Sequence, residues 1–456
     1  MTVWLGIIAY LAILLAIGGW ASRRVHGEQD FLLAGRTLGF GLVTMSLFAT
    51  WFGAETLMGS SAAIAQKGLS GGRADPFGYA LCLFIMAILL AYQMRAKGYV
   101  TMSDFFRDRY GPKNETLSAV IMIPTSVIWA SAQLFAFSQI LVVVTDINAD
   151  VALLAAAAIV IVYTVLGGLL GDAMNDLLQG AIVIVGVVVL LVLTIDAAGG
   201  ITAAFDMIEA KQLDFIDPEE GAWARWEVWA IPVIGSLVSQ EAIQRFLGAK
   251  DAATARRACF TASGIYIIVG CLPVFVALVG AHMDLGIEHR DAFLPALAMK
   301  LLPTWLFVVF VGALFAAILS TVDSTLLAAS GLTSRNIVER IRPDLSDRAR
   351  LLWNRVIVVI AGIAAYLVAR DGESIYDLVQ TSSSFGTAGI AVTTLFGLWT
   401  GIGGPAAALT SLAVGVVTML FGKVVMGVEA PFLLSVLTSL VAFLAVAAVE
   451  RKPVRA

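Results

Sequence analysis

The chain has 456 residues, a formal net charge of −4, and 59% hydrophobic against 14% charged residues, with a mean hydropathy of +0.91. A soluble domain is about 45–50% apolar, so this excess excludes a water-soluble globule, and a small net charge with short basic clusters excludes a nucleic-acid surface. Cys82, Cys259 and Cys271 lie far apart in apolar stretches, which excludes a disulfide framework and a zinc motif alike.

A hydrocarbon core about 30 Å thick needs roughly 20 apolar residues per helix. Apolar runs bounded by charge or turn residues predict thirteen spans, at about 3–21, 38–66, 76–95, 115–145, 149–167, 172–195, 227–247, 257–282, 303–333, 351–369, 374–399, 403–423 and 430–449. The first has no basic residue before it and Arg23 and Arg24 after it, the pattern of a retained helix rather than a cleaved signal. An odd number of spans puts the termini on opposite sides. With the amino terminus outside, twenty Lys and Arg fall in inward connections and eight in outward ones, as the positive-inside rule requires. The longest outward connection, 196–226, is acidic through Asp206, Glu209, Asp214, Asp217, Glu219 and Glu220. It is assigned no chemistry.

Polar groups inside these spans carry the functional argument, because a charge at the bilayer centre costs at least ~2.5–3.5 kcal/mol. In the second span, LFATWFGAETLMGSSA sets Gly53, Glu55 and Gly59 in an otherwise apolar run. Glycine with an acid at mid-depth predicts an interrupted helix whose bare carbonyls line a cavity or bind an ion; close packing through small residues is the competing reading. The sixth span opens with GGLLGDAMNDLLQG, where Asp172 reads as an amino-terminal cap and Asp176, one turn deeper, as a cation ligand or part of an exit route. The seventh, PVIGSLVSQEAIQRF, puts Ser236, Ser239 and Gln240 on one face for a polar solute, while Gln244 and Arg245 read as interfacial anchors. On the ninth, GALFAAILSTVDSTLLAASGL aligns Ala317, Ser320, Thr321 and Ser324 beside Asp323. Such oxygens are hard ligands, suited to sodium rather than a transition metal.

At GGLLGDAMNDLLQG, QEAIQRFLGAK and AAILSTVDSTLLAASGLTSRNI the chain resembles the sodium:solute symporter family, the sodium-coupled proline, sugar, sialic acid, iodide and choline transporters, over almost its whole length. The resemblance implies an all-α polytopic membrane protein with a LeuT-like core of two inverted five-helix repeats, here 38–195 and 227–399, and flanking helices in 1–37 and 400–456. It implies a sodium site formed by the carbonyls of Ala49, Phe52 and Ala317 and the hydroxyls of Ser320 and Thr321. A second sodium, seen in some members, would use Asp176, Ser320, Asp323 and Ser324. The implied solute contacts are Trp51, Glu55, Thr56, Asp75, Ser239 and Gln240. TWFG resembles the choline transporters, where an aromatic at the position of Trp51 faces a quaternary ammonium. Ser239, however, stands where they place a second tryptophan, and Trp51 stands where proline carriers have an aspartate.

These readings converge on a sodium-driven symporter in the cytoplasmic (inner) membrane, importing an amino acid, a choline- or betaine-like solute or a small organic acid. Sodium and the lipid bilayer are its other expected partners. A solute sensor on the same fold is the alternative. No nucleophile with a base and no metal-ligand cluster marks an enzyme.

Overall fold

The computed structural model describes residues 12–450 except 14, 15, 22, 146, 284–292 and 373. Most of the first expected span therefore lies outside the described residues, as do His289, Arg290, Arg451, Lys452 and Arg455. The described chain is helical throughout, with one isolated bridge between Leu38 and Ala249. Large apolar side chains cover the outside, Val185 at 60%, Ile268 at 70% and Trp305 at 67% exposure among them. An apolar girdle of this extent has no place in water. The interior instead holds polar side chains from several spans, including Asp75, Asp172, Asp176, Arg245, Ser320 and Asp323, all with no exposed surface.

Three spans that carry site residues are broken. The second runs as Phe40–Trp51, stops at Phe52 (ψ 69°), and resumes through a wide turn at Glu55–Ser60 into Ser61–Lys67. Gly53 permits the stop, since a Cβ there would lie 2.6 Å from Thr321 Oγ1. The seventh departs from the single helix expected over 227–247. Its first part is Ala222–Ala230, its middle Ile231–Val238 is irregular, and after extended Ser239 it resumes as Gln240–Leu247. Pro232 removes a helical donor, and Gly235 sits so close to Ser383 O that a Cβ would fall 2.1 Å from it. The eleventh, also expected to be continuous, divides into Ile375–Ser384 and Thr387–Trp399 about Gly386, whose φ of 68° favours glycine.

Other boundaries differ for physical reasons. The fifth and sixth spans form nearly one element, Ala149–Ala197, kinked where Gly168 takes φ 59° against Phe31. Met102–Tyr110 was expected to be a connection because its amphipathic sequence lacks a long apolar run; Thr101 and Asp104 cap it reciprocally. Phe293–Leu301 precedes Pro303 as a short additional helix.

The acidic connection 196–226 does more than keep its charge in water. Arg73, almost wholly buried, donates through its guanidinium to Glu220 Oε1 at 2.6 Å and through Nε to Ser70 O at 2.7 Å. Lys67 pairs with Asp217 at 3.6 Å, and Gly68 lies against Gln212, with no room for a Cβ. The connection is thereby fastened over the carboxy-terminal end of the second span. Arg73→Gln is expected to release it, which deuterium exchange would read as several-fold faster labelling of 68–78 with the distant segment 98–102 unchanged. Equal labelling in both proteins would mean that the pairing does not hold the cover.

Candidate functional site

At the break in the second span the backbone no longer satisfies itself. Gly53 N–H turns back to Trp51 O at 2.8 Å, and Ala54 N–H donates to Gln133 Oε1 at 3.2 Å, so the carbonyls before the break lose their helical donors. On the ninth span, Thr321 Oγ1 lies 3.0 Å from Ala317 O and 3.4 Å from Ala49 O. Thr321 and the carbonyls of Ala49 and Ala317 thus meet beside the break at Phe52, in the cradle that a Cβ on Gly53 would enter. All the donors are neutral oxygens, the set that suits a hard monovalent cation. Ser320 is turned otherwise: its hydroxyl donates to Asp176 Oδ1.

Behind this cradle lies a second buried cluster. Asp176 accepts from Ser46 and Ser320, and the Arg245 guanidinium donates to Asp172 and Ser324 while Nε donates to Thr50 Oγ1 at 3.2 Å. Asp176 Oδ2 is 3.8 Å from the same guanidinium. Two expectations are corrected here. Asp172 is a deep ion-pair partner and not merely a helix cap, and Arg245 is no interfacial anchor because none of its surface reaches solvent. Gln244 is also internal, donating to Leu32 O at 2.6 Å. Asp323 is equally buried but hydrogen-bonds to none of these groups; it faces Thr164.

The expected solute contacts divide. Thr56 Oγ1 donates to Asp75 Oδ2 at 2.5 Å, and Tyr266 donates to Asp75 Oδ1 at 3.1 Å. Trp51, Tyr79 and Trp129 pack together, with ring centroids 5.2 Å apart for Trp51–Tyr79, 6.0 Å for Tyr79–Trp129 and 6.5 Å for Trp51–Trp129. Glu55 is 1% exposed and neither of its carboxylate oxygens accepts a hydrogen bond. Ser239 sits at the break of the seventh span beside Glu241 and Trp51. Gln240 turns away, its Oε1 accepting from Met102 N at 2.8 Å, so it braces the 98–102 segment rather than joining the aromatic group. Tyr79, Trp129, Tyr266 and Gln133 are additions with no signal in the sequence, since aromatic and amide residues within apolar spans ordinarily read as packing.

The site is closed on both faces, since Trp51, Glu55, Thr56 and Asp75 are each at most 2% exposed. Arg73 and Glu220 form the cover on one face. On the opposite face Arg335 Nε donates to Asp104 Oδ2 at 3.0 Å, and Asn336 donates to Asp104 at 3.2 Å and to Glu115 at 3.0 Å. Broken helices meeting about a closed polar centre are the construction of secondary transporters.

The family model described as "Sodium:solute symporter family" matches residues 31–415. The chain belongs to the sodium:solute symporter family. Similar proteins include the high-affinity choline transporter 1 of Drosophila melanogaster, 27% identical over 391 residues that cover 82% of this chain but only 62% of that one. The human high affinity choline transporter 1 is 26% identical, with 83% and 69% covered. The sodium/pantothenate symporter of Escherichia coli (strain K12) is also 26% identical, with 80% and 78% covered. Among solved structures, a Na+-coupled sialic acid symporter in a substrate-bound outward-open state superimposes with a TM-score of 0.87 at 16% identity, over 99% of this chain and 98% of that one. Mhp1 in an inward-facing conformation gives 0.55 at 14% identity, over 89% and 90%. These likenesses establish a LeuT-like helical transporter fold in a multi-pass membrane protein.

Proposed function

We propose that this protein is a sodium-coupled symporter that imports a small polar solute across the inner membrane by alternating access. Its amino terminus is outside and its carboxy terminus in the cytoplasm, and 38–195 and 227–399 are the two halves that move. In each half the leading span is broken, which supports that division. The observation that carries the reading is the break at Phe52 facing Thr321, with Ala49 O and Ala317 O within 3.4 Å of its hydroxyl. A sodium ion there would tie the unwound segment of the second span to the ninth and so fix the solute contacts that follow at Glu55 and Thr56. Ser320 would complete the ligands by rotating from Asp176.

One ion suffices energetically. A charge moving inward across 100 mV releases about 2.3 kcal/mol and a tenfold sodium gradient adds about 1.4 kcal/mol, enough for a solute ratio of several hundredfold. The second cluster of Asp176, Ser320, Asp323 and Ser324 has the Arg245 guanidinium beside it, which favours a single sodium per cycle.

Ser320→Ala combined with Thr321→Ala is expected to abolish sodium-dependent uptake into proteoliposomes while the protein still inserts. Unchanged uptake would remove the proposed site. Sodium-dependent binding by the unaltered protein without accumulation would instead favour a sensor.

A further inference from the structure

Beside Glu241, which lies against Trp51 and Ser239, the centre contains two further carboxylates in different states of satisfaction. Asp75 is held by two hydroxyl donors, Thr56 and Tyr266. Glu55 has the same burial and no donor within hydrogen-bond distance of either oxygen; the Tyr79 hydroxyl is directed at it from farther off as a weak donor. Burying a carboxylate away from water without donors is among the costliest arrangements available to a protein. No basic side chain among the described residues offsets it. Arg73 is committed to Glu220 and Ser70 O, and Arg245 to Asp172, Ser324 and Thr50.

Aromatic faces complete the surroundings. Tyr79, which faces Glu55, packs on Trp51 and Trp129, and Tyr266, which holds Asp75, packs on Phe52 at 5.5 Å between ring centroids. Ring faces beside carboxylates attract a cation and repel an anion. They also accept an alkylated nitrogen as readily as a bare one, so they do not choose between the two. Glu55 does choose. A primary ammonium offers three N–H donors and an amidinium more, each a charge-assisted hydrogen bond to a carboxylate. A quaternary ammonium offers none and would leave both oxygens as they stand.

We propose that the solute carries a protonated nitrogen with N–H groups, an amine or an amidine, and that Glu55 is its counter-ion and sets its specificity. This rests on the reading of the closed centre as the solute site. It separates the chain from its choline-transporting relatives, because the recognised feature is the N–H and not the positive charge alone.

The test uses purified full-length protein in sodium, with thermal stabilisation as the readout and amines paired with their trimethylated counterparts as probes: ethanolamine with choline, and γ-aminobutyrate with its trimethyl form. Neutral polyols and simple carboxylates complete the set. At least one amine is expected to bind about tenfold or more tightly than its trimethyl counterpart. Glu55→Gln is expected to erase that difference. Glu55→Asp, which keeps the charge but withdraws it by one methylene, should weaken the amine and leave the trimethyl form unchanged. A quaternary probe binding as tightly as its amine, a preference that survives in Glu55→Gln, or binding confined to neutral or anionic probes would each overturn the assignment while leaving sodium-coupled transport intact. If no probe is stabilising and sodium itself has no effect, the symporter reading fails with it.

Discussion

Arg245→Met is expected to lower the stability of the protein by about 3–5 kcal/mol, the cost of stranding buried charge when one partner of an internal ion pair is removed. The guanidinium has no exposed surface and reaches Asp172, Ser324, Thr50 and, at 3.8 Å, Asp176. Without it, two carboxylates on one helix face each other with no cation between them. Against a total of about 5–15 kcal/mol for a typical domain, this loss is large enough to cut the yield of monodisperse protein severely. Detergent-solubilised protein followed by fluorescence size exclusion would show it. Arg245→Met with Asp172→Asn should recover much of the loss, since the second change removes the stranded charge. If Arg245→Met alone is as stable as the unaltered protein, Asp172 and Asp176 do not depend on this pairing.

That cluster shows where sequence reasoning stopped. Asp172 and Arg245 were each assigned from their immediate neighbours, one as a cap and the other as an anchor, and each assignment was locally sound. Their pairing joins positions 73 residues apart, and no local rule reveals which spans touch. The spans themselves were legible because a run of roughly 20 apolar residues has few alternatives in a membrane. The second break was also legible, because Gly53 and Glu55 are out of place in lipid. The breaks at Ser239 and Gly386 were not. Pro232, Gly235 and the serines of 382–384 could equally belong to a continuous helix lining a polar cavity, and only the contact of Gly235 with Ser383 O shows why the backbone yields there. Met102–Tyr110 was missed for the opposite reason: it is amphipathic, and a hydropathy window cannot separate it from a loop.

The expected solute contacts divided on the same principle. Thr56 and Glu55 directly follow the break, and the family resemblance implies them as contacts by that position. Asp75 meets Thr56 across a chain reversal of 19 residues. Gln240 lies one residue past the seventh break and points toward Met102, since a one-residue step on a helix turns a side chain by about 100°. Small angular errors of this kind are invisible to a pattern of spacing.

The same geometry makes Gly53 the most sensitive position for the ion. A methyl group there would lie 2.6 Å from Thr321 Oγ1 and 3.2 Å from Gln133 Oε1. The Thr321 hydroxyl cannot retreat without giving up Ala317 O and Ala49 O, and Gln133 cannot retreat without releasing Ala54 N–H. Gly53→Ala is therefore expected to weaken sodium activation of uptake by about tenfold or more, the loss of a charge-assisted ligand worth roughly 1.5–3 kcal/mol. Gly59→Ala, where a Cβ would meet nothing nearer than 3.6 Å, should leave the sodium dependence alone and serves as the control for an added methyl in the same span. Sodium titrations of solute uptake in the two variants would decide the matter. Similar sodium dependence in both would mean that the ion is not held at the break, because no cradle at Phe52 and Thr321 can tolerate a side chain in its centre.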